Sequence, residues 1–88
     1  KSPSAYALRL NVTESYLNEV VKKISGFTVS YWIRNEVITE AKRLLHYSEL
    51  TSKQIAHELG YEDHSYFGRI FAKEVGMPAI AFRRQYRK

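Results

Sequence analysis

The chain has 88 residues and a mass of 10.3 kDa, which allows one small domain or two very small units. It contains no cysteine, which excludes disulfide bonds and thiolate metal sites, and no apolar run approaches the roughly 18 residues of a membrane span. Fourteen Lys and Arg residues against nine Asp and Glu residues give a formal net charge of +5, which is typical of nucleic-acid-binding domains without being specific to them.

Helix caps, apolar spacing and glycines predict six helices and no strand. In chain order, the predicted helices span residues 4–10, 14–25, 28–47, 53–59, 64–75 and 79–87. The predicted N-caps are Ser2, Thr13, the pair Thr51-Ser52 and Asp63, and the predicted stops are Gly26, Gly60 and Gly76. Pro78 precedes the last helix where a capping hydroxyl is absent, so a weak start to that helix is expected.

The second half of the chain repeats the first half at an offset of 49 to 50 residues. Ser15-Tyr16-Leu17 matches Ser65-Tyr66-Phe67, and Gly26 matches Gly76. Each copy reads as a short helix, a turn that holds Asn or Gly, and a second helix, which is the helix-turn-helix arrangement. The repeat therefore predicts two copies of one helical unit, joined by the helix at 28–47.

The second helix of each copy has an apolar face and an opposite face of small or polar residues, at about 100° per residue. The residues predicted to point to the core are Leu17, Val20, Val21 and Ile24 in the first copy, and Phe67, Ile70, Phe71 and Val75 in the second. The opposite faces carry Ser15, Asn18, Glu19 and Lys22, and Ser65, Gly68, Arg69 and Ala72. Such faces suit a recognition helix, whose hydrogen-bonding side chains reach base edges; an ordinary solvated face is the alternative.

The segment from Ile55 to Phe71, IAHELGYEDHSYFGRIF, resembles the signature of AraC/XylS-type transcription regulators, as do Ala41–Leu45 before it and Gly76 with Phe82-Arg83 after it. The resemblance covers nearly the whole chain. It implies an all-α, homeodomain-like fold with two helix-turn-helix lobes joined by a long linker helix. The implied parts are a first lobe at 1–27, which lacks the family's opening helix and should expose an apolar patch, a linker at 28–48, and a second lobe with a basic last helix at 49–88.

The same resemblance implies sequence-specific binding of double-stranded DNA by a bacterial transcription regulator in the cytoplasm, with two recognition helices in successive major-groove segments. Carried over by position, the base-contacting residues are Ser15, Asn18, Glu19, His64, Ser65 and Arg69. Asn18 suits adenine and Arg69 suits guanine. The candidates for phosphate contacts are Thr13, Lys22, Lys23, Ser52, Tyr66 and Lys73, and the basic tail of Arg83, Arg84, Arg87 and Lys88 is expected to face phosphates too. RNA polymerase is an expected partner of the full-length protein, and oligomerisation is expected through regions outside this chain.

Other functions are weaker predictions. An enzyme, a metal site and a cofactor are not expected, because His46, His57 and His64 lack helical metal-ligand spacing and the glycines form no phosphate-binding loop. The alternative is a degenerate helix-turn-helix that binds another protein, since Gly68 and Ala72 blunt the second DNA face.

The linker helix carries two apolar stripes, which predict packing against both lobes. The stripes are Ile33, Val37, Ala41 and Leu44, and Ile38, Ala41 and Leu45. Trp32, at the start of the same helix, is predicted to lie in the core.

Overall fold

The computed structural model describes residues 2–86, which form six α-helices and no strand. The helices are α1 (Pro3–Arg9), α2 (Glu14–Ser25), α3 (Val29–Tyr47), α4 (Ser52–Glu58), α5 (His64–Val75) and α6 (Ala79–Tyr86). The predicted all-helical class is thereby confirmed, and each helix begins and ends within two residues of its expected position. Arg87 and Lys88, assigned to the basic tail, lie outside the described residues.

Side-chain caps fix where most helices begin. The Ser2 hydroxyl accepts a hydrogen bond from the amide of Ala5 at 3.1 Å, and the Thr13 hydroxyl accepts one from Tyr16 at 3.1 Å. The Asp63 carboxylate accepts from the first amides of α5 at 2.9 and 3.2 Å. These three caps are as predicted, because a short side-chain oxygen on an extended residue satisfies amides that the helix leaves free.

The cap of α4 is Thr51, and Ser52 is the first helical residue. Thr51 forms a capping box: its hydroxyl accepts from the Gln54 amide at 3.1 Å, and its own amide donates to the Gln54 side chain at 2.8 Å. The expectation that Ser52 carries the capping hydroxyl is therefore wrong. Only the extended residue before the helix can direct its side chain back to the third amide.

Two positions with positive φ make the turns of the two helix-turn-helix units. Asn11 has φ 60° in the first turn, and Gly60 has φ 92° in the second. The left-handed conformation is tolerated by Asn and is unstrained in Gly. The repeat thus places the same backbone geometry in both turns, as the Asn-for-Gly exchange predicts.

The described residues form two compact units, unit 1 over residues 2–36 and unit 2 over residues 37–86, and the boundary falls within α3. Unit 1 contains α1, α2 and the first part of α3, whereas unit 2 contains the rest of α3 with α4, α5 and α6. Each unit holds one helix-turn-helix. The division into a first lobe, a separate linker at 28–48 and a second lobe stays a prediction.

Unit 2 has a well-buried core. Its largest fully buried side chains are Phe67 and Phe71 of α5, Leu45 of α3 and Ile55 of α4. Ring centroids 4.7–6.3 Å apart link the aromatic residues Tyr61, Phe67, Phe71, Phe82 and Tyr86. Burying one such apolar side chain contributes about 1.5–3 kcal/mol. This core holds the inner face of α5, so that its opposite face is directed outward.

Arg83 joins α6 to the carboxyl end of α3 within unit 2. Its Nε donates to the carbonyl of Leu45 at 2.9 Å, and its Nη2 donates to the carbonyl of Ser48 at 3.2 Å. The last carbonyls of a helix have no partner within the helix and carry the negative end of its dipole, so a cation is favoured there. Arg83 therefore differs from the expectation of a solvated, phosphate-facing tail.

Unit 1 has a thinner core, in which α2 has no fully buried residue. Ile24 is 82% exposed, so its assignment to the core is wrong. Ile24 lies in the last turn of α2, and Glu74, its counterpart 50 residues later, is likewise exposed near the end of α5. The position therefore faces solvent in both copies of the repeat.

The prediction that Trp32 lies in the core is also wrong, because Trp32 is 45% exposed. Its indole N–H donates to the Ser25 hydroxyl at 2.9 Å, and its ring lies edge-on to Phe27 and Tyr31, which stack on each other at 4.2 Å. An indole carries a polar group that needs a partner, and here the partner lies at the surface.

Unit 1 also has an open apolar groove of about 350 Å³, lined by Tyr6, Leu10, Leu17, Val21, Val29, Trp32, Ile33 and Glu36.

Candidate nucleic-acid interface

The outward face of α2 presents most of the residues predicted for the first recognition helix. Ser15, Glu19, Lys22 and Lys23 are exposed, whereas Asn18 is half-buried. Thr13 directly precedes the same helix, and its hydroxyl caps the helix by accepting a hydrogen bond from the Tyr16 amide. The helical spacing therefore brings one hydroxyl, one carboxylate and two ammonium groups to the solvent side of α2.

Asn18 has a structural contact that its sequence neighbours do not reveal. Its Oδ1 accepts a hydrogen bond from the amide of Val29 at 3.1 Å, and Thr28 caps the same helix start by accepting from the Tyr31 amide at 3.2 Å. Asn18 thus ties α2 to the beginning of α3. Bidentate pairing with adenine uses the amide oxygen as well as the amide nitrogen, so this bond competes with the predicted role of Asn18.

The outward face of α5 carries the residues predicted for the second recognition helix. His64, Ser65, Arg69 and Lys73 are exposed, and Tyr66 is 47% exposed. The Arg69 guanidinium lies 5.8 Å from the centre of the Tyr66 ring, which is within the range of a cation–π contact. Contact with the Tyr66 ring restricts the positions of the Arg69 guanidinium, and the N–H groups of the guanidinium remain available to planar acceptors.

An open groove of about 510 Å³ runs between the outward face of α5 and the start of α6. Its lining residues are Ser52, His64, Ser65, Phe67, Gly68, Arg69, Ala72, Pro78, Ala79 and Ile80. Four residues predicted for DNA contact, one at the start of α4 and three on α5, therefore share one surface. Nothing in the local sequence signals that the start of α6 forms the other wall.

A smaller depression of about 250 Å³ shares His64 with this groove and is lined by Lys53, Gln54, His57, Tyr61, Glu62 and His64. Within residues 2–86, no group of three His, Cys, Asp or Glu side chains is placed to hold a metal ion. No helix in that part of the chain is long and apolar enough to cross a membrane.

Charge on the outward faces is mostly positive, in keeping with the net charge of +5. Glu19 is the acidic exception on α2. On α3, Arg43 donates hydrogen bonds to the Glu40 carboxylate, and these bonds together with the negative charge of Glu40 raise the pKa of Arg43 above its ordinary value. Arg43 lies on α3 and is not among the residues predicted for DNA contact, so it is a suitable charge-matched control.

The chain matches known proteins over most of its length. A family model described as a helix-turn-helix domain matches residues 6–85. The transcriptional activator RhaR of Enterobacter sp. (strain 638) is 34% identical over 76 residues, which are 86% of this chain and 27% of RhaR. The C-terminal domain of AraT, a response regulator from Geobacillus stearothermophilus, has a TM-score of 0.93 at 27% identity, covering 100% of this chain and 73% of that domain's chain.

One neighbour was solved on DNA. The DNA-binding domain of the global transcriptional factor AdpA, in complex with a target DNA, has a TM-score of 0.87 and covers 98% of this chain and 78% of its own. Its sequence is 19% identical, so this likeness shows the fold alone. The chain spans about a quarter of the length of RhaR. RhaR is described as a transcriptional activator, which agrees with the prediction of a regulator rather than an enzyme.

Proposed function

The chain belongs to the AraC/XylS family of helix-turn-helix domains, and from this membership we propose that it binds double-stranded DNA with α2 and α5 as its recognition helices. The observation that carries the proposal is the groove of unit 2, which brings Ser52 at the start of α4 together with His64, Ser65 and Arg69 of α5. In helix-turn-helix proteins the beginning of the second helix reaches base edges, and His64 and Ser65 occupy that place.

Base contacts are proposed for the exposed polar residues of both outward faces. Arg69 suits guanine, because its guanidinium donates two parallel hydrogen bonds to O6 and N7. Ser65 lies one turn before Arg69 on α5, and His64 directly precedes Ser65. On α2, Ser15 corresponds to Ser65 and Glu19 corresponds to Arg69. The oxygen of Asn18 is engaged with Val29, which leaves its amide N–H groups as donors to a base.

Phosphate contacts are proposed for the cations and hydroxyls that flank these faces. The candidates are Thr13, Lys22, Lys23, Ser52, Tyr66 and Lys73. The repeat supports one recognition helix per unit, and we infer that the two helices enter successive major-groove segments of an operator. The description of RhaR as an activator supports the further expectation that the longer protein acts on a bacterial promoter in the cytoplasm and contacts RNA polymerase.

The first test is a titration of the 88-residue chain against a random-sequence duplex at about 50 and 200 mM salt, followed by fluorescence anisotropy. Neutralising about five phosphates gives a log–log slope near −4.5, so the affinity should fall about 500-fold over this range. Failure to bind at 50 mM, or binding that salt does not weaken, contradicts the proposal.

A second test separates base contacts from phosphate contacts, on a site selected from a random library. Arg69→Ala should cost about 1–3 kcal/mol of binding free energy and relax the preference at one base pair. Lys73→Ala should weaken binding to all sequences alike and reduce the salt slope by about one. Arg43→Ala removes the same charge away from both faces and should leave the preference unchanged; loss of preference in all three variants would rule out the assignment.

Protein binding is a second candidate function, favoured by exposed apolar side chains in unit 1. Ile24 is 82% exposed, Phe27 46% and Tyr31 41%. A protein-binding helix-turn-helix predicts weak, nearly salt-independent binding to DNA. The salt titration therefore distinguishes it from the proposed function.

A further inference from the structure

Gly68 lies in the interior of α5, and the fold does not require a glycine there. Gly26, Gly60 and Gly76 have positive φ, whereas Gly68 has an ordinary helical backbone. A Cβ atom built on Gly68 has no atom within 4 Å apart from its own helix and chain neighbours. Alanine would fit without strain, and glycine in a helix interior lowers the folding equilibrium constant about fivefold relative to alanine.

The repeat shows what a side chain does at the corresponding position of unit 1. Asn18 stands 50 residues before Gly68, and its Oδ1 accepts the amide hydrogen of Val29 at the start of α3. In unit 2 the start of α6 is Ala79, the counterpart of Val29. Gly68 has no side chain that could accept a hydrogen bond from the amide of Ala79. The side chain that bridges two helices in unit 1 is thus replaced by open space in unit 2.

That open space belongs to the groove between α5 and the start of α6. Gly68 and Ala72 line it from α5, and Pro78 and Ala79 line it from α6. Arg69 is exposed next to Gly68 and also lines the groove. The groove is therefore open at the second turn of α5, directly after the N-terminal residues with which a recognition helix reads base edges.

We propose that Gly68 is a specificity-determining position, at which the edge of a DNA base pair approaches the backbone of α5 more closely than any side chain would permit. This inference rests on the proposed function. Glycine serves this purpose wherever a backbone must lie against a ligand, and the stability lost in α5 is offset by the closer contact. Because unit 1 carries Asn18 instead, α2 and α5 differ in how closely their backbones meet the DNA.

The test compares Gly68→Ala and Gly68→Asn with the wild-type chain, on a duplex selected by the wild type and on a random duplex. Gly68→Ala should raise the folding equilibrium constant about fivefold in urea unfolding. Its affinity for the selected duplex should fall at least about tenfold, which is 1.4 kcal/mol of binding free energy, with little change on random DNA. Gly68→Asn, which places the Asn18 side chain in the groove, should lose more discrimination still.

Thr39→Ala is the matched control, because it also replaces a poorer helix former with alanine, on an exposed position of α3. It should raise stability and leave the discrimination between the two duplexes unchanged. If Gly68→Ala keeps the wild-type discrimination, or destabilises the fold, the inference is wrong while the proposed function stands. If the wild type itself binds no duplex at 50 mM salt, the proposed function fails first and the inference fails with it.

Discussion

Arg83 has a role that composition alone conceals, because it counts toward a basic tail yet donates to two carbonyls at the end of α3. The contacts are 2.9 Å to Leu45 and 3.2 Å to Ser48, and both are partly buried. Hydrogen bonds to a charged group contribute about 1.5–3 kcal/mol when they are shielded from water. Arg83→Ala should therefore lower the free energy of unfolding by about 2 kcal/mol, measured by urea denaturation.

Arg84→Ala is the control for that prediction. Arg84 is exposed, follows Arg83 directly and carries the same charge. Its removal should change the free energy of unfolding by no more than about 0.5 kcal/mol, as is usual for surface positions. Equal stability of the two variants would show that Arg83 does not hold the end of α3.

Among the elements, helix boundaries follow from the sequence because they depend on neighbours in the chain. Thr13, Asp63 and Gly76 lie within a few residues of the amides or carbonyls with which they form hydrogen bonds. The local sequence is therefore sufficient to predict these helix boundaries. Asn18 and Trp32 depend on partners 11 and 7 residues away, brought near by the packing of two helices. Apolar periodicity indicates which face of a helix turns inward and not whether another helix covers it.

The outward faces of α2 and α5 follow from the same periodicity and include Ser15, Asn18, Glu19, Ser65 and Arg69. The assignment of these residues and of His64 to base contacts came from the family resemblance and stays a prediction. The groove wall formed by the start of α6 could not be predicted, since Pro78 and Ile80 carry no DNA-binding signal of their own. Ser52 is a related case: it lines the groove as the first residue of α4, although the capping role expected of it belongs to Thr51.

The middle of α3 supplies a buried face to unit 2, and this element can be tested at Ile38. Ile38 is 7% exposed, and Val37, Ala41 and Leu45 on the same helix are buried with it. A carboxylate introduced there would be buried without a partner, which is far more costly than losing the apolar contacts alone. Ile38→Asp should lower the free energy of unfolding by about 3 kcal/mol or more, measured by circular dichroism in urea.

Thr39→Asp introduces the same charge at the next residue, which is exposed. It should remain within about 0.5 kcal/mol of the wild type. Equal stabilities for the two aspartate variants would mean that the inward face of α3 does not support the fold. A loss confined to Ile38→Asp would assign the effect to burial rather than to charge.

For the whole molecule, the repeat predicts two DNA contacts of one kind, and a change in the spacing of the DNA tests whether both are made at once. Hydroxyl-radical footprinting of the wild-type complex should first show two protected segments about one helical turn apart. Five base pairs inserted between them rotate one segment by about half a turn relative to the other, since a turn takes about 10.5 base pairs. One recognition helix then faces the wrong side of the duplex.

The duplex with the insertion should therefore bind at least about tenfold more weakly than a control duplex of equal length with the five base pairs added at one end. The reason is that the second unit binds at a high effective concentration only where the geometry permits both units to contact the DNA at once. The remaining footprint should cover one segment. Further loss on the inserted duplex should follow Arg69→Ala if α5 makes that remaining contact, and Lys22→Ala if α2 makes it. If the inserted and end-extended duplexes bind with equal affinity and both segments stay protected, the two units bind DNA independently of each other. If only one segment is protected in every duplex, only one of the two units recognises DNA.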